Sequence, residues 1–251
     1  MPAGTALGFS IKAMIQTLHD ILSAGWGGML LRGAAMTVFI SICGICLGMA
    51  IGIAGAAAKT GANRIARALV ALYTLIVRSV PELLIIYLLF FGAVQPAADL
   101  ADWLEWDELM STVFPMLVGI LAIALISGSY SVEVFRGAFK AIDPGQLEAA
   151  RAIGLNRRQC LRRITLPQLF WYALPGANNV WQAALKDTAL VSLVGLVELM
   201  RAAVLGAAAT RAPLALYLMA GMLYFVIGVC SQGLFVWAER HFGRGMRGAG
   251  R

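Results

Sequence analysis

Charged residues are scarce in this chain of 251 residues, where Asp, Glu, Lys and Arg together make up only 13%. Hydrophobic residues account for 60%, and the mean hydropathy is +0.80. A soluble domain needs far more polar surface than this composition supplies, so little of the chain is available for one. The composition is that of an integral membrane protein.

The residues that usually perform chemistry or hold metals are also few. His19 and His241 stand alone, and the four cysteines include one CxxC pair, Cys43 and Cys46, within an apolar run. Without a second cysteine pair or a histidine cluster, packing is the expected role of these cysteines. The GxxxxGK[ST] pattern is absent, which excludes nucleotide binding through a Walker A loop. We therefore expect no catalytic residue, metal site or cofactor, with any ATP bound by a partner.

The net charge of +7 does not indicate a nucleic-acid-binding protein, because the basic residues lie between the apolar runs. Fourteen of the twenty Lys and Arg residues fall in three segments, 59–67, 136–163 and 240–251. The positive-inside rule assigns all three segments to the cytoplasm. This arrangement requires five spans, with the N-terminus and the acidic segment 96–112 outside and the C-terminus in the cytoplasm.

Five apolar runs are long enough to cross a hydrocarbon layer of about 30 Å. They cover approximately residues 27–58, 68–94, 114–135, 167–187 and 213–238. The segment Arg78-Ser79-Val80-Pro81-Glu82 interrupts the second run, and residues 188–209 are expected to pack only partway into the outer half. Gly44, Gly48 and Gly52 are spaced by four and predict a close helix contact. The predicted domains are an amphipathic N-terminal segment 1–25, a transmembrane domain 26–242 and a basic tail 243–251.

One long polar run, residues 143–167, interrupts the apolar sequence. Asp143 predicts a helix N-cap, Gln146 the other half of a capping box, and Gly154 the end of that helix. Asn156 and Gln159 predict a second capping box at the start of a short basic helix. An Ala-rich helix with a capped start is suited to a groove in another protein, whereas the arginines could equally hold an interfacial loop on anionic lipid. These features alone leave both interpretations open.

The same run resembles the EAA loop of ABC-importer permease subunits in residue type and spacing. The matching positions are Glu148-Ala149-Ala150, Gly154, Ile164, Leu166 and Pro167. Further segments resemble motifs of the permeases of polar amino-acid importers: Arg78-Ser79-Val80-Pro81 is similar to their RGTP motif, residues 129–138 to GAYxxExxRGA, and residues 186–190 to KDTSL. Ser79, Ser129 and Ala189 depart from these patterns. The likeness is greatest to the Q-type permeases of histidine/lysine/arginine/ornithine and opine uptake systems.

The resemblance implies an all-α integral membrane fold, the type I ABC-importer transmembrane domain, with five transmembrane helices plus an EAA coupling helix. It implies that residues 144–153 form the coupling helix, which sits in a cleft of a cytoplasmic ATPase subunit. The expected partners are two ABC ATPase subunits, a second permease subunit (M-type or a second copy) and a periplasmic substrate-binding protein in a bacterial inner membrane. The candidate ATPase-coupling residues are Gln146, Glu148, Ala149, Ala150 and Gly154.

Polar residues within the apolar runs are candidates to line a path for a polar, basic amino acid or an opine. They are Glu82, Tyr130, Glu133, Asn178, Asn179, Gln182, Lys186 and Asp187. Asn179, Gln182 and Lys186 fall at i, i+3 and i+7, on one helix face. A substrate carboxylate suits Lys186 or the amides, and a cationic side chain suits Glu82, Glu133 or Asp187. The alternative is internal pairing, Arg78 with Glu82 and Lys186 with Asp187.

Two other classes of function fit the sequence less well than a permease subunit of an ABC importer. An ATP-independent secondary transporter of amino acids usually shows two related halves with paired broken helices, and no internal repeat is evident here. A membrane enzyme needs clustered acid–base or metal-binding residues, which the sequence lacks.

Overall fold

The computed structural model describes residues 23–106 and 109–242. All regular secondary structure in these ranges is helical, and the nine α-helices are α1 (Trp26–Thr60), α2 (Arg64–Ser79), α3 (Glu82–Leu104), α4 (Phe114–Ala141), α5 (Pro144–Ala152), α6 (Arg157–Cys160), α7 (Leu166–Val191), α8 (Leu199–Thr210) and α9 (Pro213–Phe242). The amphipathic prediction for residues 1–25 falls almost wholly outside the described residues, and the basic tail 243–251 falls entirely outside them.

Four of the helical segments are long and apolar enough to cross a membrane: Trp26–Thr60, Glu82–Leu104, Met110–Ala141 and Pro213–His241. A fifth crossing results if Arg157–Val194 and Leu199–Thr210, which meet at a bend of 52°, are counted as one broken span. The predicted all-α membrane fold with five spans agrees with this arrangement in the described part of the chain.

The bounds predicted for the second span, 68–94, are wrong. The chain forms two helices here, α2 and α3, separated at Val80 and Pro81 in extended conformations. Proline disfavours a helical conformation in the residue before it and cannot donate a backbone hydrogen bond, which explains the break. The apolar span is α3 alone, and it continues to Leu104, through the first half of the segment expected to be an acidic loop.

The boundary predicted after Asp187 is also wrong. Helix α7 continues to Val191, and one short 3₁₀ turn follows, Ser192–Val194. The chain then changes direction at Gly195, whose φ of 97° lies in the left-handed region that favours glycine. The segment 188–209 therefore consists of the last turn of α7, a turn, and the separate helix α8.

The centre of the fold is the pair α1 and α4, which pack along much of their lengths. Gly44, Gly48 and Gly52 all face α4, as their spacing predicts. A Cβ atom at Gly44 would lie 2.6 Å from Ile123 Cγ2, and one at Gly52 would lie 2.9 Å from the carbonyl carbon of Ser131. Glycine at these positions is what permits the two backbones to approach.

A buried hydrogen-bond network joins α1, α8 and α9. Glu198 is completely buried, and its carboxylate accepts hydrogen bonds from Thr37 Oγ1 (3.0 Å), Tyr224 OH (2.9 Å) and the backbone N–H of Arg201 (2.8 Å). The last bond caps the N-terminus of α8, where the helix dipole favours a negative charge. This network explains how an acidic residue is tolerated in an apolar segment.

The glycine contact between α1 and α4 can be tested by adding side-chain volume. Gly52→Val should lower the apparent midpoint of thermal unfolding in detergent by roughly 3–10 °C, because overpacking typically costs about 1–3 kcal/mol. The matched control is Gly28→Val, at a position in the same helix with no heavy atom within 4 Å of an added Cβ. Equal shifts for both variants would contradict the proposed role of the contact.

Candidate functional site

The polar run contains a short helix with well-formed ends. Asp143 caps α5 by accepting a hydrogen bond from the backbone N–H of Gly145 (2.8 Å), and Pro144 occupies the first turn. At the other end Gly154 has a φ of 87°, its N–H bonds to the carbonyl of Arg151 (3.0 Å), and Leu155 N–H bonds to the carbonyl of Ala150 (3.1 Å). These two bonds form a Schellman motif, so the predicted cap and stop are confirmed.

The predicted capping boxes have different outcomes. The box at Asn156 and Gln159 forms in full, with both bonds at 2.9 Å. The box at Asp143 does not, because the side chain of Gln146 instead accepts a hydrogen bond from Gln168 in the first turn of α7. Gln146 thereby ties α5 to α7. The basic helix α6 is not separated from the next span, since one π-helical turn, Leu161–Thr165, joins it directly to α7.

The candidate coupling residues on α5 differ in accessibility. Glu148 and Ala149 are exposed, and Gln146 and Gly154 are also at the surface. Ala150 is buried within this chain. Just beyond the helix, Ile153 exposes 80% of its surface, an unusually accessible aliphatic side chain next to a rigid turn. Helix α5 therefore offers a polar and a small apolar surface to a partner while Ala150 secures it to the rest of the chain.

A polar cavity of about 400 Å³ lies among α2, α3, α4 and α7. It brings together four of the eight candidate path residues, Glu82, Tyr130, Glu133 and Asn179, from three different helices. Its lining residues are Arg78, Glu82, Tyr130, Glu133, Val134, Gly176, Asn179, Val180 and Ala183.

The negative charge of Glu133 is already compensated by two cations of this chain. One carboxylate oxygen lies 2.8 Å from Lys59 Nζ and the other 2.6 Å from Arg136 Nη2. Lys59 also donates a hydrogen bond to Thr74 (3.0 Å). This cluster joins α1, α2 and α4, so Glu133 holds helices together at the edge of the cavity.

The two internal pairings expected as alternatives do not form. In residues 23–106 and 109–242, the only close ion pairs are those made by Glu133. Arg78 instead lies over the ring of Tyr130, with its guanidinium carbon 4.7 Å from the ring centroid. Asp187 is a near neighbour of Glu82, within interacting distance of its carboxyl group.

Two further candidates, Gln182 and Lys186, face a second cavity, of about 420 Å³, between α7 and α9. Gln182 and Lys186 line it, and Gln182 Nε2 donates to the carbonyl of Gly228 (3.1 Å) and to Ser231 Oγ (3.3 Å). The face predicted to hold Asn179, Gln182 and Lys186 together is thus divided between two cavities. Asn179 and Gln182 differ by about 60° around the helix, Lys186 lies about 10 Å further along its axis than Asn179, and α7 packs against both α4 and α9.

Several important residues were not singled out from the sequence. The sequence alone does not indicate the roles of Lys59 and Glu198, because their partners lie 74 and 161 residues away in the chain. The one local signal was Glu198 itself, since an acidic residue in an apolar segment needs a partner. Asn178, a further candidate, keeps its side-chain oxygen buried without a hydrogen-bond partner in the described residues.

Comparison with known proteins adds to this geometry. Residues 44–244 match the family described as binding-protein-dependent transport system inner membrane component. The chain is 43% identical over 231 residues to the nopaline transport system permease protein NocQ of Agrobacterium fabrum, covering 92% of this chain and 98% of NocQ. It is 37% identical over 225 residues to the histidine/lysine/arginine/ornithine transport system permease protein HisQ of Salmonella typhimurium, covering 90% and 98%.

Two solved structures share the fold. An amino acid ABC transporter crystallised with histidines superimposes with a TM-score of 0.72 at 24% identity, covering 88% of this chain and 97% of that one. The methionine ABC transporter MetNI in an inward-facing conformation gives a TM-score of 0.64 at 18% identity, covering 86% and 97%. The helical fold, the family match and the relatives agree: this chain belongs to the binding-protein-dependent transport system inner membrane components and is a non-catalytic, multi-pass permease subunit of an ABC importer in the inner membrane.

Proposed function

We propose that this permease moves a polar amino acid or opine, one that carries a cationic group, inward across the membrane by alternating access. The observation that carries the proposal is the cavity bearing Arg78, Glu82, Tyr130 and Asn179 in a chain that is otherwise apolar. Two similar permeases are named for nopaline and for histidine, lysine, arginine and ornithine transport, which supports this substrate class.

The proposed assembly contains two ABC ATPase subunits, a second permease subunit and a periplasmic substrate-binding protein. Five spans enclose only half of a path, so a second permease, either an M-type subunit or another copy of this chain, completes it. By the positive-inside rule, the basic segments support a topology with α5 and the C-terminus in the cytoplasm and the N-terminus outside. ATP binds to the ATPase subunits and not to this chain.

Coupling is proposed to run from α5 into the membrane through α7. Glu148, Ala149, Gly154 and Ile153 offer the surface that a cytoplasmic ATPase contacts, while Gln146 links α5 to Gln168 at the start of α7. Helix α7 then lines both cavities. A displacement of α5 on ATP binding thus reaches the substrate path, and the free-energy difference between the two conformations determines which way it opens.

The charges of the cavity narrow the substrate chemistry. Because both carboxylate oxygens of Glu133 form ion pairs with Lys59 and Arg136, this carboxylate is not available to a substrate. Glu82 and Asp187 lie together without a close ion-pair partner in the described residues, so they are the carboxylates that suit a cationic substrate group. Nothing in the fold or the comparisons supports the alternative of ATP-independent secondary transport.

The proposed function is tested by uptake into vesicles that contain the assembled complex. Labelled arginine should enter only when ATP and the binding protein are both supplied. Histidine, octopine or nopaline should compete for uptake more strongly than glutamate, because Glu82, which lines the cavity, forms no close ion pair within the described residues and suits a cationic group. Uptake without ATP, or competition by glutamate that exceeds that of all the basic compounds, would contradict the proposal.

The different roles of two glutamates give a second test. Glu82→Gln should reduce the kcat/KM of arginine uptake about 10–100-fold, since a charged contact is worth about 1.5–3 kcal/mol, while the complex stays assembled. Glu133→Gln should lower the thermal unfolding midpoint, because it leaves Lys59 and Arg136 without their shared counter-ion. The control is Asp102→Asn, at an exposed acidic residue of α3.

One combination of results would contradict the roles assigned to Glu82 and Glu133. If Glu82→Gln transports normally and Glu133→Gln loses uptake with an unchanged unfolding midpoint, then Glu133 is the residue that contacts substrate.

A further inference from the structure

Arg78 is a cation that lines the polar cavity and forms no close ion pair within the described residues. It belongs to the last turn of α2, and its guanidinium lies over the ring of Tyr130. The contact with the ring leaves guanidinium N–H groups available for a carboxylate, because a guanidinium carries five donors. Arg78 is exposed in the single chain, so a ligand can reach it from the cavity.

The carboxylates that line the same cavity do not satisfy Arg78. Both oxygens of Glu133 are engaged by Lys59 and Arg136. Glu82 also lines the cavity, but no close ion pair joins it to Arg78 in the described part of the chain. The cavity therefore holds a guanidinium and a carboxylate that are not paired with each other.

The helix break explains why Arg78 and Glu82 stay apart. A continuous helix would place residues i and i+4 side by side, where opposite charges attract. Here Val80 and Pro81 are extended, so Arg78 ends one helix and Glu82 begins the next. A cation at a helix C-terminus and an anion at a helix N-terminus are each stabilised by the dipole of their own helix, so neither depends on the other.

A second carboxylate, which does not itself line the cavity, interacts with Glu82. Asp187 of α7 lies next to Glu82, within interacting distance of its carboxyl group. Two neighbouring carboxylates repel each other, and an ammonium group bound between them relieves that repulsion. Lys186 was the cation expected to bind a substrate carboxylate, but it lines the other cavity, on the side of α9.

We infer that Arg78 binds the α-carboxylate and Glu82 the α-ammonium group of a zwitterionic substrate in this cavity. The inference rests on the proposed function and deepens it by assigning the two ends of the substrate. The volume of about 400 Å³ lies within the range of small-molecule sites, about 300–1,000 Å³. Tyr130 contacts the guanidinium of Arg78. Arg78 and Glu82 together recognise the α-amino acid head group, which is common to many substrates.

The test compares ligands with and without an α-carboxylate, using the complete complex in lipid nanodiscs without the binding protein. Equilibrium binding of labelled L-arginine and L-histidine is measured, together with competition by argininamide and histidinamide. Arg78→Gln should weaken binding of the amino acids about 10–100-fold, the loss expected for one charge-assisted contact. It should change binding of the amides less than about 3-fold, because they carry no carboxylate for Arg78.

Two control variants separate this role from a structural one. Arg64→Gln removes an exposed cation from the first turn of the same helix and should leave both ligand classes unaffected. Tyr130→Phe keeps the stacked ring and should retain the preference for the carboxylate, whereas Tyr130→Ala should reduce it.

The outcomes distinguish the subsite from the transport function. Equal losses for amino acid and amide, unchanged binding, or dissociation of the permease pair by Arg78→Gln would overturn the inference, the last because Arg78 would then pair across the subunit interface. A wild-type complex that transports arginine yet binds neither arginine nor histidine would overturn the subsite alone. A wild-type complex with no ATP-dependent amino-acid uptake would overturn the proposed function as well.

Discussion

A charged side chain in an apolar, membrane-spanning chain must find a counter-ion, a set of hydrogen bonds or a polar cavity, and this requirement shapes the molecule. Glu198 is buried and accepts bonds from two hydroxyl groups and a helix N-terminus. Glu133 is held between Lys59 and Arg136. These two glutamates join helices, whereas Arg78 and Glu82 face a cavity and meet no close counter-ion in the described residues. The satisfied charges support the fold, and the unsatisfied ones line the cavity that we propose recognises a polar solute.

Helix α7 connects α5 to the cavity lined by Arg78 and Glu82. Gln146 connects α5 to the first turn of α7, and α7 lines both polar cavities before the chain bends by 52° towards α8. The close glycine contact of α1 with α4 provides a rigid body against which α7 can move. An ATPase that favours one position of α5 would thus favour one conformation of the path, by differential binding and without any chemistry in this chain.

Features determined by neighbouring residues could be predicted from the sequence. The cap at Asp143, the turn at Gly154, the box at Asn156 and the glycine stripe on α1 each depend on residues within a few positions, and all were found in the structure. The predictions failed where contacts with residues distant in the sequence determine which partner a side chain has. Gln146 bonds to Gln168 instead of closing its own capping box, and Glu133 pairs with Lys59. Local polarity likewise could not tell which of Asn179, Gln182 and Lys186 faces which cavity, since that depends on how α7 packs.

The central claim is that α5 is the contact through which an ATPase drives this permease. Site-specific cross-linking tests it most directly: Ala149→Cys places a thiol on the exposed surface of α5, and Arg64→Cys places one at an exposed position on α2. In native membranes, a short thiol cross-linker should join the α5 variant to an ABC ATPase in a nucleotide-dependent yield and leave the α2 variant unlinked. If the α5 variant forms no ATPase adduct in any nucleotide state while the complex still transports, the coupling role of α5 is contradicted.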